Sequence, residues 1–378
     1  KQMRSFVTLQ PGETTGCVGC HEPRTQAPAH AGSATAAAAR PASRIEPGAG
    51  APDVIDFPRD VQPVLDRHCA GCHNYRDRKG GVVLSGDRGV VYSLAYYELL
   101  LHWQTQDTAG SPCDGTGRQH GNDEPYGSFS GGAPLMRKID RHHHDVKLSD
   151  PERTAVRLWI DTASQYAGTY AAIGTGQIGG CWGNNRPVRE MADNWPETPA
   201  CREAVERRCA PCHGRMMPRH ATDQLPLSFG DMLSWERPLS RFSRHRLFNL
   251  TRPEASLILL APLAKAAGGY ATAPAPARPA KVSEDRRKRP TAVSHPVIFA
   301  GKDDPDFGRI LAHVRSAGRR LDEIKRFDMA GFLPREEYVR EMKRYGVLEP
   351  DFDLSREPID VYRTDRLYWK LFEWPGGR

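Results

Sequence analysis

Three strings of one form govern this sequence: Cys17-Val18-Gly19-Cys20-His21, Cys69-Ala70-Gly71-Cys72-His73 and Cys209-Ala210-Pro211-Cys212-His213. Each is the C-x-x-C-H arrangement by which a chain holds a c-type haem covalently. The chemistry sets the spacing. Two thiols two residues apart add to the two vinyl groups on one edge of the porphyrin, and the next residue turns its imidazole onto the iron from the proximal face. With 9 Cys and 14 His among 378 residues, chance placement produces only about 0.008 such strings. A zinc site would need four closely grouped ligands, and a redox dithiol on a thioredoxin-like unit needs no histidine. Neither explains why His follows the second Cys all three times.

The haems take six cysteines and leave Cys113, Cys181 and Cys201. Two of these can pair in an oxidising compartment, or all three can be isolated buried thiols; spacing does not choose between them. Covalent haem attachment takes place outside the cytoplasm, so the expected location is periplasmic or extracellular. The chain begins at Lys1 without an initiator Met, which reads as a processed or truncated form, with an export signal expected in the lost N-terminus. No apolar stretch is long enough for a transmembrane segment. The net charge of +7 is largely offset by haem propionates, so nucleic acid is not an expected partner.

The 35 Gly and 31 Pro amount to about 17% of the chain, against roughly 12% in ordinary proteins. The fold class this predicts is mainly α and loop-rich, with short helices packed around covalent haems. Three regions follow. Residues 1–52 are a first haem arm and an Ala/Pro-rich linker. Residues 53–180 are a second haem domain, where Val61, Val64 and Leu65 fall at helical spacing and deliver Cys69. A helical patch at 96–102 follows, then His142-His143-His144. Ser149-Asp150-Pro151-Glu152 reads as a capping box, and Val156, Trp159 and Ile160 form the buried stripe of the helix it opens.

Residues 181–378 are a third haem domain on the plan of the second. Residues 64–73 align without gaps on residues 204–213, and Ser256 to Leu260 stands where Pro134 to Arg137 stood. A lone His295 takes the place of the triple histidine. Asp304-Pro305 opens a helix with Phe307, Ile310, Leu311 and Val314 on one face and Gly318 at its end. The copy also carries a basic, Pro-rich surface loop near 271–294, and a last helix over 334–345 ends at Gly346. The first motif has no helix before it and is not a full copy.

Several strings resemble a known family: Val61 to His73, His143-His144-Asp145-Val146-Lys147-Leu148, Leu158-Trp159-Ile160-Asp161, Phe248 to Pro253 and Tyr338 to Tyr345. They are similar to the C-terminal cytochrome region of hydrazine synthase alpha-subunit-like proteins and related planctomycete-type cytochrome c domains, over most of residues 1–350. The resemblance implies a multihaem cytochrome and, as an alternative to electron carriage, a subunit of a redox enzyme acting on small nitrogen compounds. The family's N-terminal catalytic haem domain and its propeller have no counterpart in this chain. Within the chain, no nucleophile–base pair or pair of carboxylates forms a recognisable catalytic motif.

The reading the residues favour is an electron carrier. A haem carries electrons when both axial sites are filled. After the proximal His21, His73 and His213, eleven histidines remain for three distal positions. His143 or His144 is expected on the second haem and His295 on the third, with His245 and His220 as competitors. His102 or His120 is expected on the first. Met216 and Met217 lie too close to their motif to wrap round it, and His30, His68 and His313 read as surface or capping residues. The short first arm cannot cover a haem alone. It docks on its own second unit or on a neighbouring copy; the latter is a heterologous contact that builds a head-to-tail homopolymer, or filament. Redox partner proteins are the expected donors and acceptors. A structural or sensory haem module is the remaining reading.

Overall fold

The computed structural model describes residues 54–90, 92–102, 104–105, 129–162, 164–172, 195–213, 244–274 and 295–371. The buried Asp56 starts this framework, its carboxylate accepting from the backbone N–H of Arg59 at 3.1 Å and of Gly168 at 2.8 Å. A five-residue turn, Phe57–Val61, leads into α1 (Gln62–His68). Val61, Val64 and Leu65 are all buried, as the spacing predicted. Helix α2 (Leu94–Leu101) is capped by Ser93, whose Oγ accepts from the Tyr96 N–H at 3.3 Å. Leu94, Ala95, Tyr96, Tyr97, Leu99 and Leu100 are all buried.

Helix α3 (Pro134–Asp140) and the histidine turn precede α4 (Asp150–Asp161). The capping box is present: the Ser149 N–H and hydroxyl both donate to Glu152 Oε2, at 2.9 and 2.8 Å. Val156, Trp159 and Ile160 are buried. In the second half, α5 (Thr198–Arg208) delivers Cys209, and α6 (Leu257–Leu260) follows. Two short parallel strands, β1 (Ala273–Pro274) and β2 (Pro296–Val297), precede α7 (Pro305–Ile324), which packs along α5. Helices α8 (Glu336–Arg344) and α9 (Val361–Lys370) complete the described chain. The architecture is mainly helical, and none of the described helices is long and apolar enough to cross a membrane.

One apolar cluster draws on residues from Ile55 to Met329 and so joins the two repeats. At its centre Phe57, Tyr92, Tyr96, Trp159 and Tyr166 lie ring to ring, with centres 4.8 to 6.1 Å apart. Arg326 enters this core fully buried. It pairs with Asp328 at 2.6 Å and donates to the Gly89 carbonyl at 3.1 Å. Tyr166 donates to the other Asp328 oxygen at 2.7 Å. A buried cation is tolerated because each of these acceptors replaces water.

Three expectations change. Gly318 does not end its helix, which runs on to Ile324; a Cβ there would meet the Leu250 carbonyl oxygen at 3.0 Å, so the glycine serves close packing. Residues 271–274 are not loop: Ala271 and Thr272 are tied back by hydrogen bonds, and Ala273–Pro274 form β1. His313 is not at the surface but fully buried against the rings of Trp195 and Phe248. The terminal helix α9 had no clear signal.

Candidate functional site

The two motifs in the described residues are built identically. In α1 and α5 alike the first Cys closes the helix, with φ/ψ of −118/−40 at Cys69 and −115/−36 at Cys209. The Cys69 N–H bonds to the Leu65 carbonyl at 2.8 Å, and the His73 N–H returns to the Cys69 carbonyl at 2.9 Å. Cys209 and His213 repeat these bonds on Val205 and Cys209, at 2.8 and 3.0 Å. One tight turn therefore carries two thiols and an imidazole at the helix end.

The four thiols are not disulfide-bonded. Burial pushes Cys69 up to about 11 and Cys209 up to about 12. A dithiol poised for thiol–disulfide exchange needs the opposite shift, towards thiolate. Cys69 and Cys209 are shifted the other way.

Across from each motif histidine stands a second imidazole. His213 and His295 face each other with Nε2 atoms 3.4 Å apart and ring planes 24° apart. Their ring centres are 5.7 Å apart; the excess over the nitrogen separation is about two nitrogen-to-centre radii, so the two Nε2 atoms point along one line. His295 Nδ1 lies 2.7 Å from the Pro296 carbonyl and donates to it. That bond holds the proton on Nδ1 and leaves the Nε2 lone pair aimed at His213.

The rings of His73 and His143 lie 6.4 Å apart between centres, with planes at 20°. Two imidazoles on opposite sides of one metal at about 2.0–2.1 Å stand about 6.3 Å apart, centre to centre. His73 Nδ1 is buried without an acceptor at hydrogen-bonding geometry, and burial lowers the imidazole's pKa against the opposing pull of the Lys79 and Val82 backbone. Nε2 is then the nitrogen left for a ligand. The turn that carries His143 is strained: His142, His144 and Asp145 have φ of 49°, 50° and 63°. Such conformations cost of order 1 kcal/mol or more each and persist where the surroundings impose them.

Among the described residues no group of three or more Cys, His, Asp or Glu converges to hold a metal by itself. A porphyrin iron asks for less. Its four in-plane nitrogens leave two opposed axial positions, and a facing pair of imidazoles is the protein's whole share. The His73–His143 spacing of 6.4 Å meets that demand, and the His213–His295 spacing of 5.7 Å would meet it once the rings part by about 0.6 Å.

Acid clamps brace both motifs. Glu152 Oε1 accepts from Arg67 at 2.9 Å and lies 3.1 Å from His68 Nε2, so the first turn of α4 grips the last turn of α1. In the second copy Asp306 accepts from Arg207 at 2.7 Å and Arg208 at 3.0 Å. Again the two residues before the motif are held by an acid in the first turn of the next long helix.

The remaining expected ligands stand as follows. His102 Nε2 lies 3.0 Å from the buried Glu98, and the His21 it was expected to face is outside the described residues. Burial would raise that carboxyl, but Arg246 at 3.1 Å and His102 hold it down to about 2. His144 packs edge-on against His143, 4.3 Å between centres. The backbone of His245 lies in the short turn Arg244–Leu247. Cys17, Cys20, His21, His120 and His220 lie outside the described residues, as do Cys113 and Cys181; Cys201 is buried on α5.

No family model, curated protein or solved structure matches this chain. Its function is argued from its own residues.

Proposed function

We propose that this chain is an extracytoplasmic tri-haem c-type cytochrome that carries electrons. The observation behind the reading is the collinear Nε2–Nε2 approach of His213 and His295, one of them the histidine of a C-x-x-C-H motif. Bound haem would supply an iron that gains and loses one electron without breaking a bond.

The chain's own residues do the rest. Cys69, Cys72, Cys209 and Cys212 tether; His73 and His213 are proximal; His143 and His295 close the distal side. With two histidines each, these two sites would leave no open position for a substrate, which favours carriage over the enzymatic alternative. Cys17, Cys20 and His21 hold the third group by the same sequence logic. Intact-mass measurement tests this: the secreted chain should carry three haem masses, and Cys209→Ala with Cys212→Ala should remove one. A chain isolated from a haem-attaching host without added mass would refute it.

A further inference from the structure

The two histidine pairs are joined by a short continuous path. From His73 the main chain runs through Asn74 to Tyr75, whose carbonyl accepts a hydrogen bond from the Tyr270 hydroxyl at 2.5 Å. From Tyr270 it runs through Ala271 to Thr272, whose N–H donates to the His295 carbonyl at 3.3 Å. One aromatic ring and two hydrogen bonds therefore connect a proximal histidine of one pair to the distal histidine of the other.

The bridge is held firmly at each point. The Tyr270 N–H donates to the Leu260 carbonyl at 2.8 Å, and the Ala271 N–H to the Leu263 carbonyl at 3.0 Å. Gly269 lets the chain approach this closely, since a Cβ there would sit 2.0 Å from the Leu263 oxygen. The Arg78 guanidinium covers the Tyr270 ring at 5.3 Å. Tyr75 is anchored by Asn249 Nδ2 at 2.6 Å on its hydroxyl, with Arg252 5.0 Å over its ring. A rigid network of this kind can transmit an effect between sites; a loose one cannot.

We propose that Tyr270 is the bridging residue for electron exchange between the two histidine pairs, a reading that rests on the proposed cytochrome function. With a haem held by each pair, one electron would pass between them, the donor being oxidised as the acceptor is reduced. The tyrosine is neither oxidised nor deprotonated. Its hydroxyl and ring replace a through-space gap by bonded and hydrogen-bonded contact.

The test is exchange NMR on the half-reduced, haem-loaded protein, where cross-peaks between the oxidised and reduced forms of each haem report the exchange rate. Tyr270→Phe keeps the ring and loses the hydroxyl contact, and it should slow exchange several-fold; Tyr270→Leu should slow it further. Both variants should keep low-spin spectra and unchanged midpoint potentials. Tyr338→Phe, which loses a comparable hydrogen bond to Asp365 near α9, should leave exchange unaltered. Unchanged exchange in Tyr270→Phe overturns the proposal, as does slowing that comes only with a shifted potential or lost low-spin bands. A wild-type chain without covalent haem would overturn the parent reading first, and its absorption spectrum shows that before any variant is made.

Discussion

Arg207 donates to Asp306 at 2.7 Å, the counterpart in the second repeat of the 2.9 Å contact from Arg67 to Glu152 in the first. The two copies therefore share more than their C-x-x-C-H strings. Each braces its motif helix from the first turn of the helix that follows the facing histidine.

Glu152→Ala should expose the value of this clamp. It removes the capping box and the Arg67 and His68 contacts together, at a cost of about 1–2 kcal/mol in urea unfolding, mostly from the cap. The Ser149 N–H, ahead of His68 and Arg67, holds the carboxyl down to about 2. Its contribution should be complete above about pH 4.5 and fade as pH falls towards 2.

Asp56 should act in the opposite sense. Burial raises its carboxyl to about 6, against the Gly168 and Arg59 N–H groups that pull it down. The folded state then binds this proton more tightly than the unfolded one. Its stability contribution is present below about pH 4 and is lost as pH rises through 6, about 3 kcal/mol in all. Unfolding free energy measured between pH 4 and 8 should show this loss in the wild type and not in Asp56→Asn.

Much of this was legible in the sequence. The motif turns, the α4 capping box and the buried stripes follow from local spacing and capping chemistry, which act within a few residues. The internal alignment pointed to His295 because a repeat carries its facing histidine with it. Gly318 misled because one residue type serves both helix ends and close packing, and only the Leu250 carbonyl decides which. His313 looked like a surface residue because its cage, Trp195 and Phe248, comes from distant sequence. Tyr270 and the Arg326–Asp328 pair carried no local signal, since their partners lie in the other repeat.

Asp328→Ala should be among the most damaging changes away from the motifs. It strands the fully buried Arg326 guanidinium in the core and deprives Tyr166 of its acceptor. A loss of about 3–5 kcal/mol is expected in denaturant unfolding. Arg326→Met combined with Asp328→Leu should recover most of it, because no unpaired charge then remains.

The facing histidines make a sharper claim. His143→Ala and His295→Ala should each turn one haem high-spin and able to bind carbon monoxide. His144→Ala and His245→Ala should leave all haems low-spin. If His144→Ala opened the second site while His143→Ala did not, the assignment from ring orientation would be wrong.

The most direct test of the whole account is the visible spectrum of the dithionite-reduced wild-type protein, before and after carbon monoxide. Closed sites with two histidines each predict sharp low-spin c-type bands that carbon monoxide does not change. Absence of haem bands, or a high-spin spectrum converted by carbon monoxide, would contradict it.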